Sequence, residues 1–172
     1  MSIDSSAPSD ASPEGGEPWE WLLEAAPLAP QARAEWAHAR AGWFTPGTVF
    51  SAVSLPAGAV HAAIGNWRTL NQFAEHLTSV VDGPMFYRPR TRGSDDDTYT
   101  GLVPYSVGRR WVVPLTTLEP ADRPLLIPAP DRYTPERTGP WWVVSVEESK
   151  RFCSTRALTR LVNAGRGRWL DE

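Results

Sequence analysis

The stretch Thr48-Val49-Phe50-Ser51-Ala52-Val53-Ser54-Leu55 reads as a β-strand, and what surrounds it sets the fold class. β-Branched and aromatic residues favour extended backbone, Pro46-Gly47 before it is a turn signal, and Pro56 bounds it. Residues 57–64 are small and apolar, and suit a short helix packed closely on a sheet. Trp67, Leu70, Phe73, Ala74 and Leu77 then recur at helical spacing, so an amphipathic helix follows. Asp82-Gly83-Pro84 closes that unit with a turn.

Beyond this point the character is β. Residues 84–89 (PMFYRP) and 98–104 (TYTGLVP) read as two strands, joined by the exposed connection TRGSDDD. Residues 109–115 (RRWVVPL), 124–128 (PLLIP) and 140–146 (PWWVVSV) are three further strands. Their prolines point to short or edge strands, because proline cannot donate to a ladder. Trp141 and Trp142 are adjacent, so they should leave the strand on opposite sides.

Helices are expected at both ends. Residues 19–26 (WEWLLEAA) form one that stops at Pro27; Pro30 opens another over residues 31–41, ended by Gly42. Ser154 and Thr155 can cap a last helix with the apolar stripe Leu158, Leu161 and Val162, and Gly165 as its C′ residue. The order is α+β: a mainly antiparallel sheet with flanking helices, one domain over residues 19–172.

The chain has 172 residues and a net charge of −3, unevenly placed. Residues 1–18 hold Asp4, Asp10, Glu14 and Glu17, no basic group and almost nothing to bury, and read as a disordered acidic tail. Lys150, Arg151, Arg156, Arg160, Arg166 and Arg168 form an acid-free cationic run at the other end. One cysteine excludes an internal disulfide framework and a Cys-rich zinc site. No apolar run is long enough to span a membrane, and the first residues lack the make-up of a secretory signal. A cytoplasmic protein is expected.

Walker, dinucleotide-binding, HExxH and Gly-x-Ser-x-Gly patterns are absent. His38 and His76 fall on helix surfaces, and His61 follows the first strand. Cys153 precedes the last helix, where Arg151 and a helix N-terminus could lower its pKa, although an inert apolar cysteine is the simpler reading. Asp95, Asp96 and Asp97 are the acidic cluster that could hold Mg²⁺ or Mn²⁺. Arg156 and Arg160 lie opposite the apolar stripe of the last helix; with Arg166, Arg168, Arg109 and Arg110 they are the nucleic-acid-binding candidates.

The run 43–57 (WFTPGTVFSAVSLPA), then Tyr99, Gly101, Leu102, Val103 and Pro104, then Trp111, residues 125–132 (LLIPAPDR) and 139–143 (GPWWV) carry a resemblance. Together they resemble small actinobacterial proteins related to the N-terminal domain of bifunctional DNA primase/polymerases, of the archaeo-eukaryotic primase type. The resemblance spans residues 36–144 and implies an RRM-like sheet. Active members hold their metals with paired acids at the end of a core strand, and use a histidine for nucleotide phosphates. The matching strand here has Ser51 and Ser54 and no carboxylate. The resemblance therefore implies a non-catalytic binding or regulatory protein of a bacterial cytoplasm. It would need no cofactor and would contact nucleic acid or a protein partner through a sheet face or the basic helix. One alternative is a diverged nucleotidyltransferase with Mg²⁺ or Mn²⁺ on Asp95, Asp96 and Asp97; another is a module for protein partners alone.

Overall fold

The computed structural model describes residues 16–90, 96–135, 138–147 and 151–170. The tail expected over residues 1–18 lies outside them except for its last three residues. A short 3₁₀ helix, Glu20–Ala25, leads through α1 (Ala29–Ala39) to β1 (Ala41–Phe44). Then come β2 (Phe50–Pro56), α2 (Ala57–Ile64), α3 (Leu70–Val81), β3 (Met85–Arg88), β4 (Thr98–Pro104) and the one-turn α4 (Tyr105–Gly108). β5 (Thr117–Leu118), β6 (Leu125–Pro128), β7 (Trp141–Val144) and α5 (Thr155–Leu170) complete the chain.

The architecture is α+β. Five strands form one sheet in the order β5-β2-β4-β3-β7, every pair antiparallel, and β1 pairs with β6 in a separate ribbon. Alternation along the strands sends side chains to two cores. Val53, Leu55, Met85, Tyr99 and Trp141 pack with α2, α3 and α5. Phe50, Ala52, Phe86, Leu102 and Trp142 pack with the 3₁₀ helix, α1 and the ribbon. Trp141 and Trp142 divide between these cores as their adjacency requires, both buried. Among the described residues both faces of the sheet are thus covered, by α2, α3 and α5 on one side and by the 3₁₀ helix, α1 and the ribbon on the other.

Several expected elements differ. Residues 109–115 are a loop, not a strand: Trp111 Nε1 donates to Thr116 Oγ1 (2.7 Å), whose hydroxyl donates to the Val113 carbonyl (2.6 Å). These local bonds, and the N–H that Pro114 lacks, replace ladder pairing until β5. α1 ends before residue 41 because Arg40 turns left-handed (φ 60°), and the next four residues pair with β6. α3 begins at Leu70, where Thr69 Oγ1 accepts the Gln72 N–H. Gly165 does not stop the last helix, which continues to Leu170. A Cβ on Gly165 would collide with the Ala59 carbonyl oxygen, so this glycine lets α5 settle on α2. Trp169 lies over Gly58 in the same contact.

Candidate functional site

The cationic run resolves into distinct groups. Arg151 is exposed and lies over the Trp21 ring, its guanidinium 4.6 Å from the ring centre. Arg156 and Arg160 are exposed on α5, and a turn of about 100° per residue sets them ~40° apart, opposite Leu158 and Val162. Arg166 and Arg168 are exposed on the flanks of that face; Arg168 Nη1 also donates to the Ala62 carbonyl (3.2 Å). α5 contains no acidic residue. Arg109 and Arg110 are exposed after α4, with Arg109 against the Tyr105 ring (5.8 Å). α4 rests on β2 and β4, whereas α5 rests on α2 and α3.

Asp95 lies outside the described residues, and Asp96 is exposed. Asp97 accepts the Arg90 backbone N–H (2.6 Å) and a hydrogen bond from the Tyr87 hydroxyl. The Tyr87 bond is the main reason its carboxyl titrates below the usual range. Burial first, then this carboxylate, pushes the Tyr87 phenol up to about 12. His61 Nε2 lies 2.9 Å from the Tyr99 hydroxyl, and its ring is packed against Trp67, Phe73 and Tyr99. Burial lowers the His61 pKa, opposed by Asp97. The fold therefore brings His61 and Asp97 near enough to act on each other electrostatically, on the side of the sheet covered by α2, α3 and α5. Ser51 pairs with Val103 and Pro56 with Thr98, which leaves Ser51 about 17 Å along the strand from the Asp97 end. Among the described residues no three His, Cys, Asp or Glu side chains come together to hold a metal ion.

On the opposite side of the sheet lies a polar cluster that sequence reasoning missed. Ser54 Oγ donates to Glu119 Oε1 (2.5 Å) and lies 2.8 Å from Thr100 Oγ1. Arg88 Nη1 donates to the same Glu119 oxygen (2.6 Å) and, more weakly, to Ser54 Oγ (3.4 Å). Glu119 arrives through the pairing of β5 with β2, reinforced by its N–H on the Ala52 carbonyl (2.9 Å). β2, which carries no carboxylate of its own, thus receives one from elsewhere, already neutralised by an arginine. Nothing local in the sequence marks Glu119, which is 65 residues from Ser54 and lies beyond an irregular loop. Arg88 also lines a pocket of about 500 Å³ with Trp43, Arg90, Leu126 and Pro140.

Cys153 is buried and its thiol donates to the Pro84 carbonyl (3.1 Å). Burial raises its pKa, so the helix terminus and Arg151 do not activate it. His38 and His76 are exposed on α1 and α3. No helix of the described residues is long and apolar enough to cross a membrane. Comparison with family models, curated proteins and solved structures found no match.

Proposed function

We propose that this chain is a primase/polymerase-like binding protein without catalysis of its own, and that it contacts nucleic acid through the outer face of α5. The observation that carries this reading is the arc of Arg156, Arg160, Arg166 and Arg168, all exposed on a helix without an acid. Guanidinium groups present planar donor pairs to phosphate oxygens. An arc of them carried on one helix supplies affinity without base readout. The non-catalytic part rests on the carboxylates. Metal-assisted nucleotidyl transfer needs acids free to hold ions. Glu119 is held by Arg88 and Ser54, and Asp97 by Tyr87 and the Arg90 backbone.

Binding to a mixed-sequence DNA duplex across a salt series tests the reading. The double variant Arg156→Ala/Arg160→Ala should weaken binding and reduce the slope of log K against log salt by about two, one unit per lost phosphate contact. Unchanged affinity and slope would overturn it. Metal-dependent primer extension, abolished by Asp96→Ala, would overturn the absence of catalysis.

A further inference from the structure

The ribbon of β1 and β6 has an inner and an outer face. Phe44 faces inward and stacks on Trp36, ring centres 4.9 Å apart. Trp43, one residue earlier, takes the other side and remains 51% exposed. Leu126 is its partner in register. Across from this pair, the chain leaves β3 through Arg88, Pro89 and Arg90, and Pro140 closes one side. The enclosed space is about 500 Å³, the size of a small-molecule site. Among the described residues its walls combine a flat indole and rigid proline rings with two guanidinium groups and no carboxylate.

The walls specify the ligand. An indole face and proline rings favour a flat ring in offset stacking. The arginines favour an acidic group, and their surroundings limit its charge. Arg88 already faces Glu119 at 2.6 Å, and Arg90 is close enough to Asp97 to act on its carboxylate. Little positive field remains to offset a phosphate dianion, whereas a singly charged carboxylate matches it. Arg88 meets Glu119 and Ser54 through Nη1 alone, so its other N–H groups can take part in the paired geometry that carboxylates accept. We infer that this pocket binds a planar aromatic carboxylate, with the ring against Trp43 and the prolines and the carboxylate between Arg88 and Arg90. The site is separate from the α5 face and does not depend on the nucleic-acid reading.

Calorimetric titration of the full chain with naphthoate, neutral naphthamide and adenosine monophosphate tests the inference. Naphthoate should bind saturably, with naphthamide and adenosine monophosphate each at least tenfold weaker. Trp43→Ala and Arg90→Gln should each weaken naphthoate at least tenfold; both residues are exposed, and circular dichroism verifies that the variants fold. Arg156→Ala/Arg160→Ala should bind naphthoate as the parent does, which separates this site from the nucleic-acid surface. Absence of naphthoate binding, tighter binding of adenosine monophosphate, or unchanged affinity in folded Trp43→Ala would overturn it.

Discussion

Gly165 of α5 lies on the backbone carbonyl of Ala59 in α2, with no space for a side chain between them. Gly167, two residues on, has nothing near it. The two glycines should therefore respond to alanine with opposite signs. Gly167→Ala should stabilise by about 0.5–1 kcal/mol through helix propensity. Gly165→Ala gains the same propensity but must push the helices apart, and should destabilise by about 1–3 kcal/mol net. Urea denaturation of both variants measures the difference.

β1 offers a similar contrast between neighbours. Phe44 is fully buried against Trp36, and Phe44→Ala should cost about 3–5 kcal/mol. Trp43→Ala removes a half-exposed ring and should stay within about 0.5 kcal/mol of the parent. Equal losses at the two positions would contradict the inward and outward assignment.

Arg88 and Glu119 test whether the polar cluster acts as a unit. Arg88→Met leaves the Glu119 carboxylate, only 17% exposed, with Ser54 as its remaining partner. It should destabilise by about 2 kcal/mol. Adding Glu119→Gln should recover part of that loss, because the uncompensated charge is removed. A double-mutant cycle with no coupling between the two sites would refute the pairing.

The pH dependence of stability follows from His61. Burial lowers its pKa below 6.5 in the folded chain, so the unfolded chain binds the proton more readily. Its contribution is complete above the unfolded value and is lost as pH falls through 6.5 toward the folded value. Asp97, also lowered, acts only further into acid, below 3.8. Tm should therefore drop between about pH 7.5 and pH 5.5, and the drop should shrink in His61→Gln. An unchanged drop in that variant would locate the titration elsewhere.

Cys153 should be inert toward thiol reagents in the folded protein and react only on unfolding, since its thiol is buried on the Pro84 carbonyl. Rapid labelling of native protein would contradict this.

What was legible in the sequence was what repeats along it. The β-prone run at residues 48–55, bounded by turn signals, and the helical spacing of Phe73, Ala74 and Leu77 lead to β2 and α3, and the order of elements leads to α+β. The acid-free arginines of α5 were equally visible, because charge and exposure on a helix are local properties. Gly165 was misread because glycine both ends helices and admits close neighbours, and only α2 decides between these roles. Glu119 and Trp43 escaped for a different reason. Each becomes part of a site through strand pairing far along the chain, and pairing leaves no periodic mark on the residue it recruits.

β2 passes into α2 without an intervening residue, and α5 is seated on α2 at Gly165, Trp169 and Arg168. The helix that carries the arginines is thus fixed relative to the strands instead of riding on a swinging arm. From Arg156 to Arg168 it measures about 18 Å at the rise of an α-helix. In the proposed contact that is a stiff ruler about five base steps long, at 3.4 Å per step of one DNA strand. Its footprint is set by the fold before any ligand arrives, and binding has little backbone left to order.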